Sequence, residues 1–291
     1  MRRACKLGTV NSLLLMTLVG GVAGCPDQTI GPDPSLVHQM RGQSYTDRDW
    51  AVVLRDHVRY GLVDYDTLRA KPEALYRYAA LISVTGPEST PEQFPGRAQA
   101  TAYYVNAYNA LVLLAVLSQP PNIPTMEDIS LPHLEEDYRF VLDGSTVTLN
   151  QVERKMLAAS GGDVRTLLAT SRAAMGTPRL PGEPIRAETL DRQLAAAAAD
   201  ALDLPEILRI DHGTRSILVW QEILRRQNDF IEYWKTQRRV RTVYLFNVLL
   251  ELASPQQRRA LQTAVGYTFR PIAFDRSLNR WERKADRPMV P

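Results

Sequence analysis

Cysteine is almost absent: the 291 residues hold two, Cys5 and Cys25. Neither falls in the part of the chain that reads as a folded domain. That domain therefore has no disulfide and no thiol nucleophile, and its stability must come from packing. Histidine is nearly as scarce. The four present, His38, His57, His133 and His212, show no His-x₃-His or His-Glu-x-x-His spacing, so a helical zinc site has no support and no metal is expected. There is no Gly-rich phosphate loop and no Gly-x-Ser-x-Gly elbow, which removes the usual signs of nucleotide and serine-hydrolase chemistry. No cofactor is expected. Excess positive charge is missing too. The chain has 35 Lys+Arg against 32 Asp+Glu, and three of the cations, Arg2, Arg3 and Lys6, lie in the first 24 residues. What remains is balanced, with no basic tail or stripe for nucleic acid.

Those first 24 residues carry a distinct signal. A cationic start without acids leads into an apolar run from Val10 through Leu13, Leu14, Leu15, Met16 and Leu18 to Val22. The run is short of the ~20 residues that cross a bilayer as a helix, and small residues follow it, as in a secretory signal. Its end, Val22-Ala23-Gly24-Cys25, resembles the lipobox cut by the lipoprotein signal peptidase before a cysteine that bears a diacylglycerol thioether. Residues 1–24 are read as a lipoprotein signal peptide and Cys25 as the lipidation residue, so the expected partner is the membrane, reached through that lipid. Pro26 stands where an aspartate would resemble an inner-membrane retention signal. The expected address is thus the cell envelope, on an outer membrane facing the periplasm where the host has one.

Beyond Cys25 the chain reads as one large domain with a tether before it. Residues 25–45, with Pro26, Gly31, Pro32, Pro34 and Gly42 and no periodicity, are expected to be flexible, with a reach of up to ~60 Å at ~3.1 Å per residue. Helical spacing begins after Thr46, with Trp50, Val53, Leu54 and Val58. A further helical segment runs from Asp64-Tyr65 past Leu75, Tyr78 and Ile82. Residues 98–118 are apolar nearly all round and predict a central buried helix. Tyr138 to Leu149 predicts a hairpin turning at Asp143-Gly144, and Thr148 with Gln151 predicts a capped helix ending at Gly161-Gly162. Further helices are expected over 164–174, 189–202, 216–234 and 240–252, with a last one starting at Ser254-Pro255. No internal repeat is present. The expected class is α+β, a predominantly helical single domain with a small β-sheet or hairpin.

Several blocks, in order, resemble the DUF547 family, a family of uncharacterised function. They are Gly61-Leu62-Val63-Asp64-Tyr65, Tyr103-Tyr104-Val105-Asn106-Ala107-Tyr108-Asn109-Ala110-Leu111, Val147-Thr148-Leu149 with Val152-Glu153, and Asp163-Val164-Arg165. Ala173-Ala174 with Pro178-Arg179-Leu180, Trp220 ahead of Asp229-Phe230, and Phe274-Asp275-Arg276-Ser277-Leu278-Asn279 complete the set. The resemblance spans residues 46–281 and leaves 282–291 as a C-terminal tail. It also implies histidines where this chain has Arg154 and Leu167, and cysteines where it has Arg172 and Thr177. A Cys–His pair needs a thiolate and an imidazole within hydrogen-bond reach, and neither stands at those positions.

The polar residues left as a candidate pocket are Asn106, Asn109, Glu153, Arg165, Arg172 and Asp275. All but Arg172 have a plainer structural role as well. The two asparagines can tie the helix to neighbouring loops, and Glu153 can face the helix dipole. Arg165 can pair with a capping Asp163, and Asp275 can close a turn. Glu135-Glu136-Asp137, Arg225-Arg226 and Arg238-Arg239-Val240-Arg241 read as solvated charge runs. The leading expectation is a lipid-anchored envelope protein with a non-catalytic DUF547-like domain that binds an envelope protein or small ligand. The alternatives are an envelope hydrolase or transferase that uses carboxylates such as Glu153 and Asp275 with Asn106 orienting substrate, and a structural spacer lipoprotein. Cys25→Ala is expected to accumulate as uncleaved precursor or to leave the membrane fraction. Unchanged processing and fractionation of that variant would exclude the lipobox.

Overall fold

The computed structural model describes residues 29–121, 123–125, 135, 136 and 138–282. The signal segment, Cys25, His133, Asp137 and most of the C-terminal tail lie outside the described residues. The fold is mixed α and β and mostly helical.

Its axis is the helix Arg97–Leu117, buried at every position from Thr101 onward. The segment contains no glycine or proline and has apolar residues on all sides, so no face prefers water. By length and composition it could cross a membrane, yet 94% of its apolar window is buried inside the fold. The helices Glu73–Val84 and Leu149–Ser160 pack along it. The helix Arg48–His57 covers the first of these, with Trp50 stacked on Tyr78 at 5.8 Å between rings. Leu149–Ser160 starts as expected. Thr148 Oγ1 accepts from the Gln151 amide at 3.2 Å, and Gln151 Oε1 accepts from the Thr148 amide at 2.7 Å. It stops at Gly161, left-handed at φ 68°.

Among the described residues the strands form three small sheets. Arg139–Leu142 and Ser145–Val147 make the expected hairpin, with Asp143 and Gly144 both at positive φ as a two-residue turn requires. Thr29–Ile30 joins it in parallel at Arg139 and Phe140. Val58–Arg59 and Leu62–Val63 form a second hairpin. In the third sheet Ser216–Val219 lies between Leu208–Asp211, antiparallel, and Thr268–Pro271, parallel.

Four expectations need correction. Residues 29–45 are not a free tether: Ile30 is buried in the sheet, and Pro34–Met40 is a helix whose Asp33 cap accepts from the Ser35 amide at 2.7 Å. Asp33-Pro34, read as linker composition, is a helix start with proline at the first position. Residues 216–219 form a strand rather than a helix, because a Ser-Ile-Leu-Val run after the Asp211–Thr214 turn pairs on both edges. The helix expected over 164–174 is only Arg165–Leu168, after which the chain bends through a left-handed Ala173 at φ 59°. The helix expected from Val240 begins at Leu245.

The turn at Tyr60-Gly61 locks the second hairpin to the rest of the domain. Gly61 sits at φ 72°, its carbonyl accepts from the Leu180 amide at 3.2 Å, and a Cβ there would fall 2.3 Å from Arg179 Cβ. Only glycine meets both demands without moving backbone. Gly61→Ala should cost about 3 kcal/mol, combining a left-handed penalty of ~1–2 with an overpacking penalty of ~1–3. Gly182→Ala, where a Cβ meets open space, should stay within ~0.5 kcal/mol. Denaturant midpoints of the two variants check the difference.

Candidate functional site

Two asparagines one turn apart on the central helix act as clamps on backbone. Asn106 donates to the Ile185 carbonyl at 2.8 Å and accepts from the Ile185 amide at 2.9 Å. Asn109 donates to the Ala169 carbonyl at 3.0 Å and accepts from the Ser171 amide at 2.9 Å. Both are buried, so these bonds answer the cost of an unpaired amide, about 1–3 kcal/mol. Asn109 thereby holds the entry to a turn over residues 171–177.

That turn is bound on its other side by the C-terminal stretch. The Asn279 amide donates to the Ala173 carbonyl at 2.8 Å, and the Met175 amide to the Ser277 carbonyl at 2.8 Å. The Asn279 side chain accepts from Tyr65 Oη at 2.7 Å and donates to Ser171 Oγ at 3.3 Å. Within the turn, Thr177 Oγ1 donates to the Ala174 carbonyl at 2.8 Å and lies 3.3 Å from the Arg172 amide that donates to it. The two positions at which the resemblance implies cysteine are therefore in contact. The two at which it implies histidine are not: Arg154 is exposed, and Leu167 is buried in the core.

Arg172 is the hub of a buried charge network. Its guanidinium lies 2.9 Å from Glu135, 3.2 Å from Glu153 and 3.9 Å from Glu222, and 5.6 Å from the centre of the Trp220 ring. Arg226 joins Glu153 to Glu222, bonding the first and lying 2.6 Å from the second. Arg225 adds a contact to Glu222 at 2.5 Å. Three carboxylates thus face three guanidinium groups. The Glu153 side chain is only 4% exposed and that of Arg172 15%. Burial alone would raise the Glu222 carboxyl, but its bond from Arg225, with Arg172 and Arg226, outweighs this and holds it below the usual range. Burial lifts the Glu135 carboxyl above that range, and Arg172 only partly offsets it. Burial also raises the Tyr108 phenol, which interacts with Arg172 from the central helix.

Of the six candidate residues, the structure brings Glu153 and Arg172 together. Asn109 supports the same turn by holding backbone. Asn106 holds Ile185, which lines a separate groove. Arg165 is paired with Asp163 at 2.7 Å and Asp191 at 2.8 Å. Asp275 is exposed and accepts from the Ser277 amide at 2.9 Å. The expected helix-dipole role of Glu153 is corrected, since the first turn of its helix holds no acid and Glu153 turns inward. Sequence reasoning missed Glu135, Glu222 and Arg226 by reading the first and last as solvated charge. The available signal was Glu222 and Arg226 four residues apart beside the apolar Trp220, Ile223 and Leu224.

Two open grooves of about 320 Å³ each mark the surface. One runs between Tyr45–Asp47, Gln93, Phe94 and Gln99 on one side and Ile185–Glu188 on the other. The second lies between Gly161-Gly162 and the helix Gln227–Arg238, at Asp229, Glu232 and Tyr233. Among the described residues no group of three His, Cys, Asp or Glu side chains is arranged to hold a metal ion.

Residues 91–201 match the model of a family described as "Protein of unknown function, DUF547". Comparison with curated proteins and with solved structures found no match. The matched stretch contains both asparagine clamps, Glu153, Arg165 and Arg172. Gly61, Trp220 and Asn279 lie outside it in sequence but touch it in space, at Arg179, Arg172 and Ala173 respectively.

Arg172→Ala should destabilise the domain near pH 7 by about 3–5 kcal/mol, the usual cost of leaving buried charges unpaired. The deficit should shrink as pH falls toward 4.5. In the parent, Glu222 has a folded pKa below its unfolded one, so its contribution is present above the unfolded pKa and is lost as pH falls through the folded one. In the variant Glu135 and Glu222 lose a cation, their folded pKa values rise, and protonation relieves the unpaired charge. Urea midpoints across that pH range check the sign.

Proposed function

We propose that this chain is a lipid-anchored cell-envelope protein whose DUF547-matched domain binds a partner or ligand without catalysis. Cys25 would carry the lipid, and Pro26 favours an outer membrane facing the periplasm where one exists. The observation that carries the non-catalytic reading is the pairing of Glu153. A general acid or base must exchange a proton and face its substrate, whereas Glu153 is buried between Arg172 and Arg226. The rival carboxylate hydrolase or transferase draws no support from geometry, because Asp275 is exposed and bonded to its own turn and Asn106 is spent on Ile185.

The groove beside Ile185 supports binding over a spacer role. It is built by the Asn106 clamp, its walls carry both Tyr45 and Phe94, and the Arg186–Asp47 ion pair at 2.8 Å closes one side. Polar groups around an apolar lining are the ordinary makings of a recognition site.

The experiment has two arms. Purified domain is assayed against chromogenic esters, phosphate esters and glycosides, with Glu153→Gln and Asp275→Asn alongside. No turnover dependent on either carboxylate is expected, and activity lost in a folded Glu153→Gln variant would overturn the reading. In cells, a photo-crosslinking residue in place of Gln99 is expected to give a discrete adduct. Its absence there and at Glu188 would leave the spacer role.

A further inference from the structure

We infer that the lipid on Cys25 holds the domain hard against the bilayer, with the face around the helix Pro34–Met40 turned to the headgroups. The inference rests on the lipid anchoring proposed above and adds the orientation that the start of the fold imposes on it.

The argument is one of chain length. The described fold starts at Thr29, which pairs with Arg139, and Ile30 is buried beside Phe140. The chain is then fixed continuously. Asp33 caps the first helix. Met40 is buried with Ala80 and Leu81, with Leu36 and Val37 packed beside them. The Tyr45 amide donates to Gln93 at 2.6 Å, and the Tyr45 ring lies 5.1 Å from that of Phe94. Only Pro26, Asp27 and Gln28 separate Cys25 from Thr29. Four residue steps at full extension span roughly 14 Å, against the ~60 Å available to a free tether of twenty residues. A domain held so closely cannot turn a distant face to the membrane.

The face presented is chemically suited to that position. From Thr29 to Thr46 the only acidic residue is Asp33, whose carboxylate is occupied by the Ser35 amide. The exposed residues of this helix are Pro34, Ser35, His38 and Gln39, followed by Arg41. Within residues 29–46 the charges of Asp33 and Arg41 balance, so this stretch meets anionic headgroups without net repulsion, and Arg41 is attracted to them.

The test uses the full lipidated protein in vesicles of phosphatidylcholine and phosphatidylglycerol that carry a headgroup nitroxide quencher. With Cys5 in the signal segment and the Cys25 thiol consumed by lipid, Ser35→Cys gives a single labelling site for a fluorophore. Strong quenching at Ser35→Cys is expected, and a long Gly/Ser insertion after Gln28 should abolish it while the protein still floats with the vesicles. Absence of quenching in floating protein, or quenching that survives the insertion, overturns the inference. Failure to float reports instead on the lipid anchor itself, and flotation is read separately from fluorescence.

Discussion

A guanidinium taken out of water is the constraint around which this site is arranged. Arg172 sits against Trp220 and the central helix, where an unmatched charge would cost several kcal/mol. The match comes from three separated parts of the chain: Glu135 ahead of the hairpin, Glu153 in the helix Leu149–Ser160 and Glu222 after the strand Ser216–Val219. Each of these carboxylates would be as costly alone as the arginine. Arg226, held by Glu153 and Glu222 together, makes the arrangement a network rather than a set of pairs. Groups coupled in this way cannot be removed one at a time at low cost.

The backbone beneath Arg172 is held as firmly as its side chain. Ala173 is left-handed, a conformation that costs a residue with a Cβ about 1–2 kcal/mol. It persists because its surroundings determine it from both sides: Asn109 bonds the backbone on either side of Thr170, and Asn279 donates to Ala173 itself. Tyr65, reaching Asn279 from the first third of the chain, closes the circuit. The C-terminal stretch, which touches the family-matched region from outside it, is thus a structural strap over a strained turn.

What the sequence discloses follows the range of the interactions involved. The Thr148–Gln151 capping box, the Asp143-Gly144 turn, the Ser254-Pro255 helix start and the central helix are governed by residues within a turn of one another, and all are where local rules place them. Ser216–Val219 was misread because Trp220, Ile223 and Leu224 continue its apolar run into a real helix. The two-sided pairing that makes it a strand comes from residues 208–211 and 268–271. Glu135 and Arg226 look like surface charge from their neighbours, and only the fold supplies Arg172 and Glu153 as partners. Asn106 and Asn109 stand out in the sequence as amides in an apolar helix, yet the backbone each clamps is 60 or more positions away.

The same charges that explain the packing bear on what the site can do. A carboxylate serving as acid or base needs its two protonation states close in energy near the working pH. Guanidinium partners pull them apart by favouring the ionised form, as they do for Glu222. Glu135 is pushed the other way, since burial outweighs Arg172. Protonating it, however, removes one of the three negative charges facing Arg172 and leaves the network with a surplus of positive charge. Its proton is therefore coupled to the balance of the whole cluster rather than free to meet a substrate. Arg172, whose amide bonds Thr177 across the turn, makes the cluster a neutral, interlocked plug. On the proposed reading recognition then falls to the grooves outside it, where Asn106 holds Ile185 in the wall of one and Tyr233 lies in the other.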